Sequence, residues 1–139
     1  MSEKNLYTIK NVTKLTGVTA STLRYYEELG ILEDVERDKN DNRIYTDEHL
    51  DRLGGIRCFK DGAMPLSKIR EFYRYESDLE NHIDDIIELV EEQTEELTET
   101  INKMVAQKKH MEAKVKFYSA IKKAIENNSP WPSWDEYSD

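Results

Sequence analysis

Only one cysteine, Cys58, occurs in 139 residues, so one chain can neither close a disulfide nor assemble a cysteine-rich metal site. His49, His82 and His110 are the three histidines, too scattered in sequence to form a ligand cluster, and no metal is assigned. No stretch approaches the roughly 18 consecutive apolar residues of a membrane span, and MSEKNLYTIK lacks the apolar run of a secretory leader. The expected location is the cytoplasm, with no membrane partner. A phosphate-binding glycine loop, a nucleophile motif and an acid/base pair confined to one pocket are all missing. The expectation is therefore a protein that is not an enzyme and carries no cofactor.

Charge is what the chain has in quantity, 35% of its residues, against 37% hydrophobic ones. This balance favours exposed helices over a thick globule. The formal net charge is −9, and it is unevenly spread. Residues 1 to 73 hold 12 Lys and Arg against 13 Asp and Glu, whereas residues 74 to 139 hold 8 against 16. The N-terminal part is nearly neutral, so it can approach a polyanion although the whole molecule is acidic.

Thr8 precedes Ile9, Val12 and Leu15 at helical spacing, and Gly17 closes that first helix. After a tight turn, Thr19 or Ser21 caps a second helix carrying Leu23, Tyr26 and Leu29 and ending at Gly30. Two short helices joined in this way read as a helix-turn-helix. DVERDKNDNRIYT (34 to 46) has no helical period and suits a β-hairpin turning near Asn40 to Asn42. Thr46-Asp47-Glu48 opens a third helix through Leu50, Leu53, Ile56 and Phe59 to a break near Gly62. A fourth follows Met64-Pro65, with Ile69 and Phe72 inward and Ser67 either its cap or in its first turn.

From residue 83 a single pattern continues for about forty residues. Ile83, Ile87, Val90, Thr94, Leu97, Ile101, Met104, Lys108, Met111, Val115, Tyr118, Lys122 and Ile125 recur at alternating gaps of four and three, the seam of a coiled coil. So narrow an apolar stripe needs a partner helix, most simply from a second copy. Residues 74 to 99 contain eleven acidic side chains and one basic, whereas residues 100 to 126 contain seven Lys and two Glu. An antiparallel pair centred near Met104 sets each acidic half beside a basic one, so an antiparallel homodimer is expected. The tail NNSPWPSWDEYSD is expected to be either disordered or docked.

On a helical wheel Leu23, Tyr26 and Leu29 gather on one arc with Thr22, and Ala20, Ser21, Arg24, Tyr25 and Glu28 on the other. Tyr26 reads as core, its hydroxyl reaching the surface. Arg24 and Tyr25 project outward, where a guanidinium can grip a guanine or a phosphate and a phenol can donate to a phosphate oxygen. A solvated surface pair is the plain alternative. Arg43 on the hairpin adds a second cation able to hold flanking backbone.

YTIKNVTKLTGVTASTLRYYEELGIL, NRIYTDEHLDRL and IRCFKDGAMPLSKIREF together resemble the DNA-binding domain of MerR-type transcription regulators, over residues 6 to about 74. The resemblance implies a mainly α fold: a winged helix-turn-helix DNA-binding domain (1–74), a linker and antiparallel coiled-coil dimerisation helix (75–126) and a tail (127–139). It implies a homodimer on an inverted-repeat operator in double-stranded promoter DNA, distorting the duplex for RNA polymerase. It also implies DNA contacts from Arg24 and Tyr25 on the recognition helix, Arg43 and Tyr45 on the first wing, and Lys60 on the second, between the third and fourth helices. The position of Cys58 resembles the single-cysteine branch that responds to aldehydes and other small-molecule electrophiles, with Cys58 the sensor thiol. Arg57 and Lys60 flank Cys58 and are expected to favour its thiolate. Gly54 and Gly55 leave room there for an adduct or a close neighbour, and a small core cysteine without redox work is the alternative. Two other functions stay open: a coiled-coil adaptor that never touches DNA, and a regulator answering a ligand other than an electrophile.

Overall fold

Thr8 is where a strand becomes a helix. In the computed structural model, which describes residues 5–138, β1 (Leu6–Thr8) runs directly into α1 (Ile9–Thr16). Thr8 Oγ1 accepts from the Asn11 N–H and Asn11 Oδ1 accepts from the Thr8 N–H, both at 3.1 Å. This reciprocal cap satisfies two of the donors that a helix start leaves unpaired. α1 stops at Gly17, whose φ of 78° suits a residue without a Cβ. α2 (Ala20–Glu28) starts at Thr19, whose hydroxyl accepts from the Thr22 N–H at 3.2 Å, and Gly30 turns the chain away after it with φ 76°. Of the first helix's apolar series only Val12 is fully buried, and Leu15 is exposed.

The hairpin consists of β2 (Glu36–Arg37) and β3 (Arg43–Thr46), and β1 adds a strand that the sequence pattern does not reveal. All pairs are antiparallel in the order β1-β3-β2, with Tyr7 opposite Tyr45 and Arg37 opposite Arg43. The Asp38 carboxylate shapes the hairpin turn by accepting from the backbone N–H of Asn40 (2.8 Å) and Asn42 (2.9 Å). The bond from Asn42 leads in holding that carboxyl below its usual range.

α3 (Asp47–Asp61) and α4 (Leu66–Glu76) complete the helical layer. His49 joins strand to helix: its Nδ1 accepts from the Thr46 N–H at 3.0 Å, so its Nε2 carries the proton and donates to the Glu33 carbonyl at 2.7 Å. Pro65 precedes α4, and Ser67 sits in the helix's first turn. Leu23, Ile31, Ile56 and Ile69, all 2% exposed or less, form the centre of the core.

The two adjacent glycines of α3 differ. A Cβ on Gly54 would meet nothing within 4 Å, whereas one on Gly55 would run into the Tyr73 hydroxyl. Of the two expected explanations, Gly55 fits the close neighbour. Gly54→Ala should therefore raise stability by about 0.5–1 kcal/mol through helix propensity. Gly55→Ala should show no such gain until Tyr73→Phe removes the obstructing oxygen, and urea midpoints of the two single variants and the double variant check both statements.

α5 (Leu79–Glu126) has one residue off helical geometry, His82 (φ −131°, ψ 21°), whose ring stacks on Tyr75 at 5.0 Å between centroids. Two compact units meet within this helix, residues 1–93 and 94–139. In the first, Leu89 is buried and Gln93 Nε2 donates to the Gly62 carbonyl at 3.2 Å, so the early turns of α5 pack as part of the head. In the second, the seam residues Ile101, Met104, Met111, Val115 and Tyr118 are 52–66% exposed. A different face of the helix receives the tail, which is docked. Trp134 lies edge-on to Phe117 (5.3 Å) and His110 (5.7 Å), with Lys114 Nζ 4.6 Å from a Trp134 ring centroid. The tail turns back at Asn128 (φ 50°), where the Ser129 N–H donates to the Ala124 carbonyl at 2.9 Å.

Candidate nucleic-acid interface

α2 divides its side chains as a helical wheel requires. Leu23 and Tyr26 are buried, and Arg24 and Tyr25 lie on the open side, Tyr25 49% exposed. The Tyr26 hydroxyl does reach the rim, where it accepts from Lys60 Nζ at 3.3 Å. Lys60 departs from its expected place: it belongs to the last turn of α3 rather than to the loop after it. There it shares a groove with Thr19, Thr22 and Arg57 beside the helix-turn-helix.

Arg43 leans from β3 toward α2, and its Nε donates to Glu27 Oε2 at 2.7 Å. That hydrogen bond, above the other influences on it, keeps the guanidinium even more firmly protonated than usual. Lys10, Arg24 and Arg43 line one cleft together with Asp38 and Asp41. The three cations are nearly balanced by Asp38, Asp41 and the Glu27 paired to Arg43, so what the cleft offers a polyanion is individual guanidinium and ammonium donors rather than a strong net positive charge.

Tyr45 requires a correction. Expected on the wing surface, it is 0% exposed, because β3 is the middle strand and alternation turns this ring inward, edge-on to His49 at 5.7 Å. Burial pushes its phenol pKa up, and its hydroxyl has no hydrogen-bond partner among the described residues. It is a core residue. Removing an unsatisfied buried hydroxyl relieves a desolvation cost, so Tyr45→Phe should leave stability unchanged or raise it by about 1 kcal/mol, read from urea unfolding.

Cys58 is exposed on α3, in an open cleft with Gly55, Phe59, Phe72 and Tyr73. Neither flanking cation hydrogen-bonds its thiol among the described residues. Arg57 is 4.0 Å from Asp61, and Lys60, about 200° further round the helix, is turned to Tyr26. The nearby cation Arg52 lies 4.0 Å above the Tyr73 ring and donates to the Ile31 carbonyl at 2.9 Å. Among the described residues no group of three or more His, Cys, Asp or Glu is placed to hold a metal ion, and no helix is long and apolar enough to cross a membrane.

Residues 7–76, the unit carrying α2 and the wing, match the family described as MerR HTH family regulatory protein. The chain belongs to the MerR family. It is 31% identical over 116 residues to an HTH-type transcriptional regulator of Haemophilus influenzae, covering 84% of this chain and 86% of that one. It is 30% identical over 105 residues to the regulator CueR of Escherichia coli O6:H1, covering 70% and 78%. Among solved structures it is similar to HiNmlR, described as a MerR family regulator lacking the sensor domain and bound to promoter DNA. That match has a TM-score of 0.74 and 30% identity, and it covers 90% of this chain and 92% of that one. A MerR-family fold from Listeria monocytogenes superposes with a TM-score of 0.78 at 21% identity, over 88% of this chain and 92% of that one. This MerR protein is thus a transcriptional regulator and not an enzyme. Its winged helix-turn-helix and long helix are the architecture that the motifs led one to expect.

Sequence reasoning did not single out two residues of this candidate interface. Lys10 enters the cleft from the first turn of α1, and Glu27 secures Arg43 from sixteen residues away. No local pattern marks either, since both depend on how the wing folds against the helices.

Proposed function

We propose that this MerR-type regulator works in the cytoplasm as a homodimer on an inverted-repeat operator in promoter DNA, distorting the duplex to control transcription by RNA polymerase. Residues 1–74 form the DNA-binding domain, 75–126 the linker and dimerisation helix, and 127–139 the tail. Arg24 and Tyr25 enter the groove from α2, while Arg43 and Lys60 hold the flanking backbone. The carrying observation is the likeness to HiNmlR, whose structure is described with promoter DNA, over 90% of this chain. The exposed seam of α5 and its division into an acidic and a basic half support antiparallel pairing.

Fluorescence anisotropy against an inverted-repeat promoter duplex tests this reading. Affinity should fall linearly with salt on logarithmic axes, each phosphate contact adding about 0.9 to the slope. Salt-independent binding, or none at low salt, would leave the coiled-coil adaptor as the better account.

The same reading assigns Cys58 the response to aldehydes and other electrophiles, supported by its exposure beside the Tyr73 phenol. Intact-mass measurement after formaldehyde or methylglyoxal treatment should find an adduct that Cys58→Ser abolishes together with the change in transcription in vitro. Normal induction of the Cys58→Ser protein would eliminate the thiol as sensor and favour another ligand.

A further inference from the structure

Glu27 is an anomaly in a surface built for a polyanion. It projects from the recognition helix next to Arg43, and its negative charge there should repel phosphate. Simple electrostatics makes it a liability. Its geometry gives it a different role. The pair is largely enclosed, with side chains 20% exposed for Arg43 and 29% for Glu27, and its 2.7 Å contact is short, as expected of a charge-assisted hydrogen bond. The bond uses Nε, and the two terminal amino groups of Arg43 make no hydrogen bond among the described residues.

We propose that Glu27 is a positioning residue for DNA recognition: it fixes the Arg43 guanidinium by one edge so that the other edge faces the operator backbone, and it locks the wing to the recognition helix. A guanidinium can serve two acceptors at once because its donors form a planar fork. An unanchored arginine must lose its rotamer freedom when DNA binds, whereas an anchored one has lost it on folding. The bond also bridges β3 and α2 across sixteen residues of sequence, so phosphate contacts from the wing and base contacts from Arg24 share one rigid frame.

This inference rests on Arg43 contacting DNA, and its sign separates it from simple electrostatics. Glu27→Ala should weaken operator binding about tenfold, since each copy in the dimer loses an anchored side chain. Glu27→Gln keeps an acceptor oxygen and should restore most of the loss. In an Arg43→Ala background, Glu27→Ala should cause no further loss. Arg43→Lys keeps the charge but has one nitrogen to share between Glu27 and phosphate, and should bind nearly as poorly as Arg43→Ala. Tighter binding by Glu27→Ala, or an Arg43→Lys protein as good as the parent, overturns the proposal. If Arg43→Ala itself binds normally, the DNA-contact reading of Arg43 fails and this proposal fails with it, an outcome distinct from the first two.

Discussion

Met104→Glu should turn the proposed antiparallel dimer into monomers. In an antiparallel pair centred near this residue the two copies of Met104 face each other across the symmetry axis, and one substitution introduces two carboxylates there. Each methionine forfeits about 1.5–3 kcal/mol of burial, and the paired charges must be desolvated against one another. The dimer dissociation constant should therefore rise about a thousandfold or more. Met104→Leu keeps the volume and should cost less than about 1.5 kcal/mol. Sedimentation equilibrium distinguishes the variants, and a Met104→Glu protein that stays dimeric would place the interface elsewhere. Operator affinity should collapse in parallel, because two half-sites are then bound by independent molecules. In the proposed pair the opposed charge halves of α5 would set orientation more than strength, each exposed pair being worth about 0 to 1 kcal/mol.

Arg24→Ala carries the other large effect. Loss of the proposed bidentate base contact costs about 1–3 kcal/mol, and the proposed dimer loses two, so specific affinity should drop at least about thirtyfold. Binding to unrelated duplex should fall much less. Arg24 is exposed and makes no hydrogen bond or ion pair within the described residues, so thermal stability should stay at the parent value. Equal losses on operator and random DNA would reduce Arg24 to a phosphate contact.

How much of this was legible in the sequence follows from the range of each interaction. The caps at Thr8 and Thr19 and the glycines at 17 and 30 act within four residues, so their helices could be placed from local pattern. The heptads of α5 were equally plain, because a long helix repeats one geometry. β1 was invisible: three residues, Leu6–Thr8, acquire strand character only by pairing with a strand some forty positions away. The family resemblance put Tyr45 on the wing surface, and local pattern could not have corrected it. Alternation tells which residues share a face with it, but the side on which the core lies is fixed by the helices packed there. The same holds for the site, since Arg24 and Tyr25 follow from a wheel whereas the Glu27–Arg43 bond and the fit of Tyr73 over Gly55 require the folded head.

The docked tail has a practical corollary. Both tryptophans of the chain, Trp131 and Trp134, lie within it, and the wing and its helices contain none. Intrinsic tryptophan emission is consequently a label for the tail and the helical segment on which it docks. Trp131, 65% exposed, should be readily quenched by iodide, whereas the more sheltered Trp134, with Lys114 above its ring, should respond when the tail lifts from its helix. A spectral change during an operator titration would therefore report an event at the tail, with no dye attached.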